Sequence, residues 1–469
     1  MPACLNVVIL AAGLGTRMKS RKAKVLHEAG GLPLIEHVVR TAIRLAPPER
    51  VFVIVGCQGE AVRAAVESYG VGFIEQREQK GTGHALMAAR ERLEPLGGLL
   101  LVLYGDCPLL SADTLRRLIE RQQSSGAAAT VLTAVIDEPY GYGRILRDEQ
   151  GLIRAIVEEK AASEAERAVK EINSGIYCFR AEPLWQHIAC IRPDNPAREY
   201  YLTDVIGILR QAGFAVEPML VANPAEVLGV NTRVELAQVD CWLRRSKARE
   251  LMLEGVTIRL PETVSIDADV QVGRDTVIEP FVQLLGRTVI GEECRIGTGA
   301  LLRHARLGNR VDVRAYSVIE EAHLEDDSRA GPYARLRPGT HLAAGAAVGN
   351  FVEVKNARLG AGSKANHLAY LGDADIGAGV NIGAGAITCN YDGERKHRTR
   401  IGDGVFVGSN ATLVAPVELA EGCYVGAGSV ITEPVPPDAL ALGRARQVIK
   451  EGWVKKRRAA REPASGDKG

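Results

Sequence analysis

An aliphatic residue followed by a small one returns every six positions through the second half of this 469-residue chain. One run is Val272, Ile278, Leu284, Ile290, Ile296 and Leu302, and a second is Leu307, Val313 and Ile319. Later frames hold Leu342, Val348 and Val354, then Ile376 and Ile382, then Ile401, Val407, Leu413, Leu419, Val425 and Ile431. A six-residue rung is one short strand plus one turn, and three rungs close a triangular coil. The aliphatic side chain points inward, and the small residue permits the corner. The period predicts a left-handed parallel β-helix of hexapeptide repeats over 255–469, with a C-terminal tail. A Gly-rich all-β domain of another kind is the alternative. The repeat accounts for the glycine excess, since 29 of the 50 glycines fall in 255–469 and 21 in 1–230. Aromatic residues are only 5% of the chain, as expected when rungs are filled by single aliphatic side chains. The frame is expected to break near 320–341 and 388–400, and a loop ejected from a regular coil is a natural place for function.

Residues 1–230 follow another rule. Apolar strand candidates at Asn6–Leu10, Val51–Val55, Gly72–Glu75, Leu99–Leu103, Ala129–Val135 and Gly175–Phe179 alternate with helical stretches such as Leu34–Leu45 and Gly83–Leu93. That alternation predicts an α/β domain with a mostly parallel sheet covered on both faces. Ligands on such sheets bind outside the carboxyl ends of the strands. Between the halves, 231–254 lacks glycine and proline and spaces Leu236, Val239, Leu243 and Leu251 as a helix would. It reads as a connecting helix.

Composition excludes several classes. The formal net charge is +1, so there is no basic excess to suggest a nucleic-acid partner. No apolar run is long enough to span a membrane. The N-terminal MPACLNVVILAAG has no basic segment before its apolar run, so it reads as a first strand and not a signal peptide. Nine scattered cysteines with no CxxC argue against a disulfide framework or zinc site and fit a cytoplasmic protein.

The segment LAAGLGTRM, from Leu10 to Met18, is a Gly-rich turn after a strand, with amides available to an anion or a base edge. It is neither a GxGxxG fingerprint nor a Walker A loop. A plain strand-to-helix turn remains open. Further segments follow in order: KVL at Lys24, EQREQKGTGHA around Gln76, LYGDCP from Leu103, YGR at Tyr142, VEEK from Val157, EINSG from Glu171 and GVNT from Gly229. With the β-helix, this series resembles the bacterial bifunctional N-acetylglucosamine-1-phosphate uridyltransferases and glucosamine-1-phosphate N-acetyltransferases, over nearly all of 5–453. The resemblance implies a Rossmann-like nucleotidyltransferase domain (1–230), a linker helix (231–254) and an acetyltransferase β-helix (255–469). It implies acetyl transfer from acetyl-CoA to glucosamine 1-phosphate, then uridylyl transfer from UTP, giving UDP-N-acetylglucosamine for cell-wall and lipopolysaccharide precursors.

Uridylyl transfer joins two polyanions, so a metal and cations must neutralise them. By resemblance Asp106 and Asn231 bind Mg²⁺, with the triphosphate and water completing the oxygen shell. Arg17 and Lys24 would contact the UTP phosphates and count as catalytic. The family's usual proline before this lysine is here Ala23. The resemblance gives Leu10, Ala11, Ala12, Gly13, Lys24, Gln76, Gly81 and Thr82 to UTP, and Gly143, Glu158, Asn173 and Asn231 to the acetylated sugar.

Acetyl transfer from a thioester needs a neutral amine nucleophile and hence a base. The segment RLGAGSKANHLAY, from Arg358 to Tyr370, offers His367, and an ordinary imidazole accepts protons near neutrality. By resemblance His367 is that base. Arg337, Lys355, Tyr370 and Asn381 would hold glucosamine phosphate. Ala384, Asn390, Tyr391, Ser409, Ala427 and Arg444 would meet acetyl-CoA, Asn390 and Tyr391 lying in the loop TCNYDGERKHRT, Thr388–Thr399. A helix docking on a neighbouring subunit is expected after Gly443, with a disordered end after about Ala460. A homotrimer through the β-helix is implied, with acetyltransferase sites between subunits. A one-activity sugar nucleotidyltransferase with a regulatory β-helix, and a non-catalytic trimeric scaffold, are the competing readings.

Overall fold

The computed structural model describes residues 4–13, 15–56 and 58–461. Two compact units divide the chain: Met1–Arg249 with Ile266–Asp269, and Glu250–Ser265 with Val270–Gly469.

The first unit is built on β1 (Leu5–Leu10), β2 (Val51–Val55), β3 (Gly72–Glu75), β4 (Leu99–Tyr104), β5 (Ala129–Val135), β6 (Arg144–Arg147), β7 (Ile153–Val157), β8 (Glu171–Arg180) and β9 (Val216–Leu220). Their order is β9-β5-β8-β4-β1-β2-β3, with the β6–β7 hairpin attached to β8. The pairs β4–β1, β1–β2, β2–β3 and β5–β9 are parallel. β8 is inserted between β4 and β5 and runs antiparallel to both. Val7, Ile9, Val53 and Leu101 pack on one face, and Val8, Ile54, Leu100 and Val102 on the other, which is why these strands read as unbroken apolar runs.

Three strands of this sheet escaped the sequence reading. β9 contains Pro218, which a strand tolerates here because β9 is a sheet edge. β6 and β7 carry charged residues and lie off the main strand path. The expected helix Gly83–Leu93 divides at Ala89 into Thr82–Ala88 and Arg90–Leu93. The connecting helix runs Arg233–Leu253, with Val239 and Leu251 buried.

In the second unit, strands of mostly two or three residues form the three sides of a parallel β-helix. Every aliphatic residue of the six-residue frame is buried. Facing strands pair residues 18 apart, as Val277 with Arg295, or 17 apart, as Arg295 with Asp312. The expected break at 320–341 is absent. Leu324, Ala330 and Leu336 continue the inward column and are fully buried. The frame only seemed to break because the step from Ile319 to Leu324 is five residues and an alanine follows.

Five-residue steps also separate Leu302 from Leu307, Val354 from Leu359 and Leu371 from Ile376, always at the same corner. Each is turned by one left-handed residue: His304, Glu321, Asn356 or Asp373. The loop expected at 388–400 is ejected at that corner, between buried Thr388 and Ile401, and stretches the pairing to 25 residues, Asp375 with Arg400. The tail carries a helix at Trp453–Ala459. The disorder expected beyond residue 460 falls largely on 462–469, outside the described residues. Among the described residues, no helix is long and apolar enough to cross a membrane.

Candidate active sites

In the first unit the candidates gather at the carboxyl ends of β1, β3 and β4. Leu10, Ala11 and Ala12 are buried, and the Ala11 N–H is bonded to Ile54 O at 2.9 Å. Gly13 begins the exposed part of the loop. Gly15 takes a left-handed φ of +59°, and a Cβ there would come within 2.6 Å of Lys24 Cβ. The loop therefore lies directly on the Lys24 stem.

Lys24 Nζ forms an ion pair with Asp106 Oδ2 and donates to Asn231 Oδ1 at 3.1 Å. Arg17 Nη2 donates to the same Asn231 oxygen at 2.8 Å. The two oxygens assigned to Mg²⁺ thus converge on one cationic nitrogen. Hard oxygen donors aimed at one positive centre fit that ion. Among the described residues, no group of three or more His, Cys, Asp or Glu is placed to hold a metal, so Mg²⁺ would need oxygens from its substrate and water.

Asn231 is held by a device the sequence reading missed. Glu235 Oε2 accepts from the Asn231 and Thr232 amides, both at 2.7 Å, and the Glu235 amide donates to Thr232 Oγ1 at 3.2 Å. Thr-x-x-Glu at a helix start is a capping box, legible in GVNTRVE. It caps the long helix and aims Asn231.

Gln76 follows β3 and is only 3% exposed. Its Nε2 donates to Gly81 O at 3.2 Å and lies 3.1 Å from His84 Nδ1. Gly81 has φ +106°, and a Cβ there would sit 2.6 Å from Tyr200 O. Thr82 Oγ1 accepts from the Leu202 amide at 3.1 Å.

Gly143, Glu158 and Asn173 form a second group. A Cβ at Gly143 would lie 3.6 Å from both Glu158 Cδ and Asn173 Cβ, and the Asn173 amide donates to Gly143 O at 2.9 Å. Burial raises the Glu158 pKa, opposed by the hydrogen bond from Thr203 Oγ1 at 3.1 Å. Asn173 Nδ2 donates to Tyr177 Oη at 2.8 Å. Asn231, also assigned to the sugar, bonds instead with Arg17, Lys24 and Gly229.

In the second unit, His367 sits at the corner of a long strand, Lys364–Gly372, paired with Asn350 of Ala347–Lys355. Its Nδ1 lies 3.0 Å from Asn350 Oδ1. Strand register carries this column onward through Ala384, Ser409 and Ala427. Backbone bonds tie the same corner together: Gly385 to Leu368 O, Asn410 to Ala384 O and Gly428 to Ser409 O, at 2.6–2.8 Å. Arg444 follows, its Cδ 4.0 Å from where a Gly428 Cβ would stand. The histidine and four of the acetyl-CoA candidates therefore share one edge.

Arg337 and Lys355 lie at the other corner, beside the ejected loop. Lys396 of that loop faces Lys355, and with Arg337 it lowers the Lys355 pKa. Three cations gather here against two carboxylates, Arg337 being paired with Glu353 Oε1 at 2.9 Å and Asp373 lying within reach of both lysines; the excess positive charge suits a phosphate, and Lys396 is a member the sequence reading did not single out. Asn390 Nδ2 donates to Asp373 Oδ2, while Asn356 Nδ2 donates to the other oxygen at 2.5 Å. Burial works against the Asp373 charge, but these amides and the Lys396 and Lys355 charges outweigh it and lower its pKa. Asp392 Oδ1 accepts from the Glu394 and Arg395 amides at 2.8 and 2.6 Å, so the loop is folded on itself. Tyr391 is exposed and bonds to Gly393 O. Tyr370 stands on the strand after the His367 corner, paired with Ile387, and Asn381 on the preceding face, paired with Lys364.

Residues 7–173 match the model of the MobA-like NTP transferase domain, and 269–304 and 398–433 match the bacterial transferase hexapeptide repeat. The chain is 58% identical to the "Bifunctional protein GlmU" of Solibacter usitatus over 98% of both chains. It is 50% identical to that of Koribacter versatilis over 97% of both. It is 46% identical to that of Brevibacillus brevis, over 96% of this chain and 97% of the relative. Matches of this extent place the chain in the GlmU family, the bacterial bifunctional uridyltransferases and N-acetyltransferases its motifs resemble.

Proposed function

We infer how the two activities of this enzyme of UDP-N-acetylglucosamine synthesis are divided along the chain. Uridylyl transfer belongs to 1–230, acetyl transfer to 255–469, and the helix in 231–254 connects them. The observation that carries this reading is the convergence of Arg17 and Lys24 on Asp106 and Asn231 at the strand ends.

In uridylyl transfer, a phosphate oxygen of N-acetylglucosamine 1-phosphate attacks the α-phosphorus of UTP, and the bond to the leaving pyrophosphate breaks. Arg17 and Lys24 neutralise the triphosphate and, on its arrival, turn from Asn231 and Asp106 toward phosphate. Asp106 and Asn231 would hold Mg²⁺, which when bound supplies charge neutralisation and orients the phosphates. Gln76, Gly81 and Thr82 face the base, and Leu10–Gly13 present backbone to the nucleotide. Gly143, Glu158 and Asn173 hold the acetylated sugar, with Glu158 accepting from hydroxyls.

In acetyl transfer, Asn350 Oδ1 can only accept, so the proton of His367 sits on Nδ1 and Nε2 carries the lone pair. His367 takes a proton from the sugar ammonium. The freed amine attacks the acetyl carbon, and the thioester bond to coenzyme A breaks. Arg337, Lys355 and Lys396 receive the sugar phosphate. Tyr370 and Asn381 flank the sugar, and Ala384, Asn390, Tyr391, Ser409, Ala427 and Arg444 line the coenzyme.

The acetyltransferase works as a homotrimer. Supporting this, Phe281, Tyr316, Tyr333, Phe351 and Leu368 project from the His367 edge, all exposed and all in left-handed backbone. Tyr316 stacks on Tyr333 and Tyr333 on Phe351, with centroids 5.4 and 5.5 Å apart. An exposed apolar ladder on strained backbone suits burial against a second copy. The candidates for the sugar pocket lie on two faces of one chain, which also suits a site completed by a neighbour.

Product analysis by mass tests the reading, with glucosamine 1-phosphate, acetyl-CoA, UTP and Mg²⁺ supplied and each omitted in turn. Omitting acetyl-CoA should abolish UDP-N-acetylglucosamine, and added N-acetylglucosamine 1-phosphate should restore it. Unchanged acetylation by His367→Ala would defeat the assignment of the base.

A further inference from the structure

We propose that His84 sets the base selectivity of the uridyltransferase site by locking the Gln76 amide with its oxygen outward. This rests on the reading that Gln76 faces the base of UTP.

The orientation of the Gln76 amide follows from its partners. Gly81 O, 3.2 Å away, can only accept, so the nitrogen end of the amide must face it. That nitrogen has a second proton, and His84 Nδ1 lies 3.1 Å off in position to take it. His84 must then carry its own proton on Nε2. Both donors of the Gln76 amide are consumed inside the protein. No described residue donates to Oε1, so the amide presents a pure acceptor.

A pure acceptor selects between pyrimidines. Uracil offers N3–H as a donor to it. Cytosine offers a lone pair at N3, and two acceptors repel. An amide turned by 180° would present NH₂ and favour cytosine. What prevents the turn is the pair of contacts on Nε2. Gly81 contributes one, from a loop that turns at a φ of +106°. His84 contributes the other, from the helix Thr82–Ala88 and beside the Tyr200 ring, centroids 6.0 Å apart. Gln76 is nearly fully buried, so without His84 one N–H would lack a partner out of water's reach. A buried donor in that state gains by rotating toward any acceptor the bound base offers.

His84 is thus a positioning residue. It touches the nucleotide only through Gln76. Its effect is on which base is read and not on the phosphoryl chemistry at Lys24 and Asp106.

The test compares UTP with CTP as substrates of the full-length enzyme with N-acetylglucosamine 1-phosphate and Mg²⁺ at pH 7.5. His84→Phe keeps a ring beside Tyr200 and removes the acceptor. His84→Leu does the same without the ring. His84→Asn restores an acceptor oxygen close to the position of Nδ1. The ratio of kcat/KM for UTP to that for CTP should fall about tenfold in the Phe and Leu variants. The change should lie in KM, and the Asn variant should recover most of the ratio. The kcat with UTP reports folding of the first unit and should stay unchanged in all three, as should acetyl transfer on the other unit. Gln76→Leu separates the two ideas. If Gln76→Leu collapses the ratio and His84→Phe and His84→Leu preserve it, the role of His84 is overturned while the reading of Gln76 stands. If Gln76→Leu itself leaves the ratio intact, both fall.

Discussion

Asn350 and His367 occupy paired positions on adjacent strands of the β-helix, and the amide oxygen of one lies 3.0 Å from Nδ1 of the other. The pair fixes the imidazole tautomer before any substrate arrives. Removing His367 should lower kcat for acetyl transfer by about 10²-fold or more, the usual contribution of a positioned base. Asn350→Ala should cost less, about tenfold in kcat, because the imidazole survives but its tautomer is free. Asn350→Asp should recover activity, since a carboxylate also accepts from Nδ1. Uridylyl transfer should be untouched in all three, measured as pyrophosphate release.

Asp106 and Asn231 both accept from the Lys24 ammonium, and the same two oxygens are proposed to hold Mg²⁺. Asp106→Asn keeps the shape and removes the charge. It should reduce uridylyl transfer by about two orders of magnitude and raise the Mg²⁺ concentration needed for half-maximal rate. Acetylation measured in the same preparation should be unchanged.

The capping box offers a subtler variant. Glu235→Ala frees the amides of Asn231 and Thr232 and loosens the first turn of the connecting helix. A lost cap costs about 1 kcal/mol. The expected kinetic signature is a raised Mg²⁺ requirement with modest change in kcat, because Asn231 remains but is no longer aimed. An unchanged Mg²⁺ titration would show that the cap serves the helix alone.

Glu158 is a half-buried carboxylate with a raised pKa, its desolvation being the main cause. The folded protein therefore holds that proton more tightly than the unfolded chain does. Its contribution to stability is favourable below the ordinary carboxylate pKa and is lost as pH rises through the raised value. At neutral pH the charge is a net cost. Glu158→Gln should raise the melting temperature of the first unit by about 2 °C at pH 7.5, and the gain should vanish at low pH. The same variant should raise KM for N-acetylglucosamine 1-phosphate, since the acceptor is weakened. A lower melting temperature at neutral pH would count against this account.

Lys396 and Arg337 repel Lys355 at the corner proposed to take the phosphate of glucosamine 1-phosphate. Lys396→Ala should raise KM for that substrate about tenfold and flatten its dependence on salt, with little change in KM for acetyl-CoA. The repulsion is strongest in the free enzyme, so a phosphate ion should protect the wild type against heat more than it protects the variant.

Much of this molecule could be read from one dimension. The six-residue period belongs to local geometry, because each inward residue is set by its own rung. Every aliphatic residue in the frame is buried as the period requires. β2, β3 and β5 were readable to the residue, since strands covered on both faces carry continuous apolar runs. The order of the motifs was enough to point to the family. What the period could not carry was a corner shortened by one residue, where Glu321 in left-handed backbone lets the coil continue through 320–341.

Convergence was beyond the sequence. Lys24, Asp106 and Asn231 are up to 207 positions apart and meet only because β1, β4 and the start of the connecting helix end on the same side of one sheet. His367 and Ser409 share an edge only because coils stack in register, and Lys396 joins Lys355 only because its loop folds back at the corner. Local periodicity settles which side chains go inside, as each choice is decided within a few residues. Which polar groups face one another is decided by packing between distant segments, and their charges and tautomers follow from that encounter.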